Sequence, residues 1–343
     1  MSDMNNQTNK PSKNPIKRFM DPNFQIVKRA KWFSIAPAII IFAGLMVVLI
    51  FNFNLGLDFT GGRIVNITGF ETNEFAQVRQ IVTQEMNDAG ITGLHIQQEE
   101  RVEGGTIMAI RFPNPAVLND KSGLEITAFF ESLQDTINAR LTTETTLISS
   151  HIEIGEAESI SASASQERML NVFMAVTLAL LGIFFYMLFR FKVNSGIAAI
   201  VGLFHDVLIM ASLVAIFQIQ INFIFVAAMI TIIAYSLNNT LVLFDRVRSK
   251  ERQVETRLTP EQIMDASIKE TFVRQLATTV STIIPVVILA ILGVPLIREF
   301  AIPIVFGLVA GFYSTIFLTS ALYVRFENAR IRKAKLTTRT QNS

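Results

Sequence analysis

Hydrophobic and polar positions divide the chain into two regimes. Six stretches carry almost no charge and are long enough, at about 20 helical residues for a hydrocarbon core of about 30 Å, to cross a membrane. They run from Trp32 to Phe53, Met169 to Phe189, Val193 to Phe217, Ile221 to Phe244, Gln275 to Ile297 and Phe300 to Val324. The third and fourth almost merge, parted only by the pentad Gln218 to Asn222, and predict a tight helical hairpin.

Between the first two spans, over residues 54–168, the period changes. Arg63 to Phe70 has the branched content of a half-buried strand, and Glu74 to Ala89 sets Phe75, Val78, Ile81, Val82 and Met86 on one helical face. Leu94 to Gln98 and Thr106 to Phe112 read as strands around a Gly104-Gly105 turn, Leu124 to Leu141 as a helix, and Thr146 to Ile154 as a last strand. The order βαββαβ is the split-βαβ, ferredoxin-like arrangement. The predicted fold class is thus a polytopic α-helical membrane protein with six transmembrane helices and one exported α+β domain. Such a domain hosts many activities and identifies none.

Composition agrees with a membrane protein: of 343 residues half are apolar and 17% are charged, with 28 Phe against one Trp, more apolar surface than a soluble core hides. The absence of Cys removes disulfides and thiolate chemistry, and His95, His151 and His205 are too scattered to suggest a metal cage. No cofactor, no metal site and no nucleic acid are expected.

The net charge of +2 conceals a segregation. Residues 54–168 hold 7 Lys+Arg and 17 Asp+Glu, a net −10, leaving 23 and 11, or +12, elsewhere. Basic residues cluster in the arm 1–31, after the second and fourth spans, and in the tail 325–343. The positive-inside rule then puts both termini in the cytoplasm and residues 54–168 on the outer face of the inner (plasma) membrane. With no short h-region or small-x-small cleavage site, the first span (32–53) reads as an uncleaved anchor. The remaining spans fill 169–324, around a cytoplasmic loop 245–274. In that loop Thr259-Pro260-Glu261-Gln262 has the pattern of a capped helix start, predicting a short amphipathic helix on the membrane surface before the fifth span.

Polar groups inside the spans are functional candidates, because ionisable residues are costly there. Asp206, thirteen residues past Val193 and beside His205, falls about 20 Å along its helix, near midplane. A buried Asp is protonated or paired, so Asp206 is either a proton-binding group or a fixed hydrogen-bond partner. Thr231, Tyr235, Asn238, Asn239 and Asp245 share a stripe of the fourth span, and Arg274, Thr278, Ser281 and Thr282 a stripe of the fifth. Asn239 and Arg274 are placed near the cytoplasmic ends of their helices, at similar depth. Such seams glue helices together or line a water path. Gly307 and Gly311, a GxxxG pair, signal close packing in the sixth span.

Several motifs resemble the SecD/SecF family of the bacterial Sec machinery. They are Gly56-Leu57-Asp58-Phe59-Thr60-Gly61-Gly62, Leu203-Phe204-His205-Asp206-Val207, Ala234-Tyr235-Ser236-Leu237-Asn238-Asn239-Thr240 and Phe244-Asp245-Arg246-Val247-Arg248. Six spans around one small outer domain are similar to the SecF side of that family. The resemblance implies half of a bundle of the resistance-nodulation-division (RND) type. Its partners would be a SecD-like subunit, the SecYEG channel, YajC-like and YidC-like accessory proteins, the translocating unfolded polypeptide and membrane lipid. The implied role is a non-enzymatic one, protein export assisted by the proton gradient. Gly61 and Gly62 would supply a tight turn from the membrane helix into the first strand.

One departure concerns coupling. Where this chain has Asn239, SecF family members usually carry Asp, thought to act with an Arg matching Arg274; Asn cannot bind and release a proton at physiological pH. Three explanations stay open: the SecD half holds the essential carboxylate, Asp206 titrates instead, or coupling is weak or uses another ion. The first is favoured, one carrier carboxylate per bundle being enough. Asn222 also replaces a residue that is often acidic in the family. Competing functions are a homodimeric RND-type exporter of small molecules or lipids, which would need a large apolar pocket in the outer domain, and a passive scaffold for SecD.

Overall fold

The computed structural model describes residues 21, 24–100, 106–118, 121–144, 151–160, 162–253 and 258–341. The basic arm up to residue 20, the expected Gly104-Gly105 turn and residues 146–150 of the expected last strand lie outside these.

Among the described residues six helical segments are long and apolar enough to cross a membrane. The first is α1 (Ile26–Phe33) and α2 (Ile35–Phe51), joined at Ser34, whose hydroxyl bonds back to the Ala30 carbonyl at 2.9 Å. The others are α6 (Ala162–Arg190), α7 (Val193–Ile216), α8 (Phe223–Gln253), α9 (Pro260–Leu292) and α10 (Pro295–Ser314). A π turn, Thr315–Thr319, continues α10 into α11 (Ser320–Gln341). The short helix α3 (Leu57–Thr60) follows α2, and α4 (Phe75–Asp88) and α5 (Gly123–Glu144) belong to the α/β domain.

Helices run further than the apolar windows because hydropathy reports where lipid contact ends, whereas backbone hydrogen bonding continues wherever propensity allows. Two expectations change as a result. The capped start at Thr259, with its capping box to Gln262, opens the 33-residue α9 itself, so no separate amphipathic helix precedes the fifth span. Much of the expected loop 245–274 is therefore helical, and so is the basic tail as far as Gln341.

In the α/β domain β1 (Gly62–Phe70), β2 (His95–Glu100), β3 (Thr106–Phe112) and β4 (Glu153–Ile154) form an antiparallel sheet in the order β2-β3-β1-β4. A further strand, β5 (Glu158–Ile160), has no counterpart in the sequence pattern; it pairs with Gly62–Ile64 at one end of β1 while β4 pairs with Ile67 and Thr68. Helices α4 and α5 cover the sheet with a continuous core that includes Val65, Ile67, Val82, Met108, Ile110 and Ile137.

The bundle is asymmetric. Helix α10 packs against α7, α8 and α9, and α2 packs along α7. The apolar faces of α2, α6 and α9 stay exposed, as in Phe42, Phe173 and Ile284, the expected state of surfaces that meet lipid.

Candidate proton-coupling site

Asp206 lies thirteen residues into α7 and ten from its end, and is 1% exposed. Its Oδ2 accepts a hydrogen bond from the Ser236 hydroxyl on α8, and its Oδ1 lies 3.1 Å from Nδ1 of the adjacent His205. The carboxyl group is thus hydrogen-bonded across a helix interface, as a buried polar group requires. Gly311 of α10 makes room for the pair: a Cβ there would sit 3.0 Å from Ser236 and 3.5 Å from Asp206 Oδ2. Gly307, one turn earlier, abuts Ile232, and Gly202 abuts the Thr319 hydroxyl of the π turn. The GxxxG pair therefore seats α10 on α8, directly over the acid.

Asn239 is also 1% exposed, one turn further along α8. Its side-chain Nδ2 has no hydrogen-bond partner among the described residues. Its backbone carbonyl accepts from Gln275 Nε2 at 3.4 Å, and Tyr235 Oη accepts from Thr282 at 3.3 Å. These contacts fix α8 and α9 as antiparallel neighbours, with Asn239 and residue 275 at one level. Neither position is near a helix end, since Asn239 stands fourteen residues before Gln253 and Arg274 fourteen after Pro260. The residue of α9 that faces Asn239 is Gln275, whereas Arg274 is exposed.

The seams split in the same way. Tyr235 and Asn239 turn inward, but Thr231, Asn238, Arg274, Thr278 and Ser281 are exposed on the outer face of α8 and α9. Sequence reasoning named these residues without separating the faces. It missed Ser236, Gln275, Thr315 and Thr319 as members of the polar interior, where Thr240 and Thr315 approach to 3.3 Å. Ser236, Gln275 and Thr315 each reach a residue of another helix, at separations no periodicity reports, and the Thr319 hydroxyl is buried without a hydrogen-bond partner among the described residues.

The remaining motif residues hold the assembly together. Gly56 N–H donates to the Ile221 carbonyl at 2.7 Å, and Ile221 N–H to the Asn54 carbonyl at 2.8 Å, a short ladder between the exit of α2 and the α7–α8 loop. Asp58 Oδ2 accepts from the Phe223 N–H at 3.1 Å and so caps α8 from 165 residues away. Gly61 (φ 74°) and Gly62 (φ 150°) have backbones that disfavour a side chain, and a Cβ on Gly62 would collide with the Phe112 carbonyl oxygen. At the other end of the bundle Asp245 pairs with Arg190 at 3.0 Å, and Arg246 with Glu270. These tie α8 to α6 and α9 through exposed pairs of modest worth. A half-buried carboxylate near the start of α10, Glu299, accepts from Gln97 at 2.9 Å and from Asn222 at 2.7 Å. Among the described residues the fully buried acids are Asp206 and Glu327 of α11, and of these Asp206 is the one near the middle of an apolar span.

Residues 138–329 match the family model described as "Protein export membrane protein SecD/SecF, C-terminal". The chain is 29% identical to protein translocase subunit SecF of Calditerrivibrio nitroreducens over 91% of this chain and 97% of that one. It is 32% identical to SecF of Ketogulonicigenium vulgare over 87% and 88%. The crystal structure of SecDF, a translocon-associated membrane protein from Thermus thermophilus, superposes with a TM-score of 0.69 at 26% identity. That match covers 90% of this chain but only 39% of the longer SecDF chain. Family model, sequence relatives and architecture agree, and the chain belongs to the SecD/SecF protein-export family, on its SecF side.

Proposed function

We propose that this chain is a non-enzymatic subunit of the protein-export machinery that forms half of an RND-type bundle. A SecD-like subunit supplies the other half. The pair works beside the SecYEG channel, with the α/β domain on the outer face and both termini in the cytoplasm, and uses the proton gradient to promote release of the translocating polypeptide.

The exposed polar face of α8 and α9 carries this reading. Thr231, Asn238, Arg274, Thr278 and Ser281 would meet hydrocarbon in an isolated chain, where a central Arg alone costs about 3 kcal/mol. A partner bundle removes that cost. In the SecDF relatives of Thermus thermophilus and Bacillus subtilis this chain corresponds to 40% and 39% of one longer polypeptide, which supports SecD as that partner. Asp206 and the unpartnered amide of Asn239 lie inside the bundle behind that face, where protonation of the acid can bias the packing of α7 against α8.

Because the chain has no Cys, Asn238→Cys gives a single reactive site. Co-expressed with a SecD-like subunit carrying cysteines on its own polar span, it should form a disulfide-linked heterodimer. Crosslinking only to a second copy of itself would overturn the proposal and favour the homodimeric exporter.

A further inference from the structure

A groove of about 890 Å³ opens between α1, the start of α9 and the π turn with α11. It lies at the end of the bundle away from the α/β domain, since α2 runs from Ile35 there to Phe51 at the domain. One wall is a single stripe at spacings of three, four and seven: Leu318, Ala321 and Leu322, then Arg325, Asn328 and Arg332. Helix α1 contributes Val27, Ala30 and Lys28. Polarity thus changes along the groove, from an apolar half deep between the helices to a basic half at its mouth.

The charge is not internally cancelled. Lys28, Arg325 and Arg332 are exposed and form no ion pair among the described residues. The one lining carboxylate, Glu261, accepts from the Asn328 amide at 2.5 Å and also attracts Lys28, which leaves the lining at +2, carried mainly by Arg325 and Arg332. The level is that of a membrane interface. Trp32, the sole Trp, stands 77% exposed two residues before Ser34 of the groove, and beyond it α2 exposes Ile35, Ile39 and Phe42. An exposed aromatic followed by an apolar belt marks the headgroup boundary.

We infer that this groove binds one anionic phospholipid of the surrounding leaflet. Its phosphate lies against Lys28, Arg325 and Arg332, and an acyl chain follows Leu318, Ala321 and Leu322. A free phosphate would leave the apolar half empty, and a zwitterionic lipid would leave the excess positive charge unmatched. Basic pockets between helices at this level are suited to such headgroups, each cation contributing a factor of roughly five in affinity.

The test is native mass spectrometry of the full-length chain in detergent. It is titrated with phosphatidylglycerol, with phosphatidylcholine of the same acyl chains, and with glycerol 3-phosphate. Phosphatidylglycerol should bind more than about tenfold tighter than phosphatidylcholine, with no retention of glycerol 3-phosphate. Lys28→Gln, Arg325→Gln and Arg332→Gln should each lose roughly fivefold, and Leu322→Trp should weaken lipid binding with every charge intact. The control Lys333→Gln/Lys335→Gln removes two cations of α11 outside the groove and should leave binding unchanged. Equal binding of the two lipids overturns the inference, as does equal loss in the control, which would indicate diffuse attraction. Retention of glycerol 3-phosphate would also overturn it in favour of a free-anion site. If a charge variant unfolds, the comparison of the three probes on the unaltered chain still decides.

Discussion

The side-chain amide of Gln97, in β2, donates to the carboxylate of Glu299, in α10, at 2.9 Å. The α/β domain is thereby fastened to the bundle, and Asn222 occupies the second carboxylate oxygen at 2.7 Å. Arg111 of β3 in turn donates to Gln97, so one acid organises three amide and guanidinium donors from the domain and the α7–α8 hairpin. Glu299→Ala would leave two buried amides, Gln97 and Asn222, without their acceptor, a loss of about 1–3 kcal/mol. Hydrogen exchange in residues 54–62 and 218–223 should accelerate about tenfold or more in the variant, while the domain core around Ile110 stays protected. Unchanged exchange at the hinge would mean the latch contributes nothing.

Asp58 illustrates a cap that sequence inspection cannot assign. Its motif lies beside the first strand, and nothing local shows that its carboxylate serves the N-terminus of a helix in another span. Phe59 packs edge-on against Phe223, ring centroids 5.3 Å apart, and holds the two segments in register. Asp58→Ala should lower thermal stability by about 1 kcal/mol, whereas Asp58→Asn, which keeps a capping oxygen, should lose clearly less. Equal losses in the two variants would assign the effect to charge instead of capping.

The legible and illegible parts of this molecule follow from the range of the forces involved. Apolar windows mark all six spans, and the periods two and 3.6 locate α4, α5 and β3 with little error, because burial on one face imprints a local repeat. Helix ends escape the pattern wherever a charged helix continues beyond the apolar belt, as at Asp245 and Arg325. At the site the residue types are readable and their faces are not. Asn239 and Arg274 both sit on polar stripes, yet only the structure separates the buried amide from the exposed guanidinium. Ser236, the partner of Asp206, is thirty residues away on another helix, and Glu299 falls between two apolar windows, where hydropathy cannot report its burial.

Close helix packing offers a cleaner test than any polar contact. Gly44 of α2 touches Ser212 of α7 so closely that an added Cβ would collide with the Ser212 Cβ and lie 2.6 Å from its Cα. A backbone atom cannot swing aside, so Gly44→Ala must push the helices apart, at about 1–3 kcal/mol. The double variant Gly44→Ala/Ser212→Gly should recover part of the loss. Thermal unfolding of the four proteins in one detergent forms the cycle, and additive losses would show that the two positions do not meet.

Asp206 and Asn239 are the positions at which proton coupling in this bundle can be tested. Asp206 is buried, paired with Ser236 and roofed by Gly311, so its replacement by the isosteric amide, Asp206→Asn, should preserve the fold and test chemistry alone. If the SecD half carries the essential carboxylate, Asp206→Asn should reduce proton-driven export only partially, and less than loss of that carboxylate. Asn239→Asp should be tolerated, because the position already holds an amide of the same size facing Gln275. Helix α7 ends in the loop whose Ile221 pairs with the exit of α2, so a shift of α7 against α8 on protonation would reach the α/β domain through backbone contacts. Export assays in inverted vesicles, with and without a proton gradient, separate the alternatives. Complete loss of the gradient-dependent component in Asp206→Asn, at normal membrane level and normal association with SecD, would make Asp206 the coupling acid of the pair.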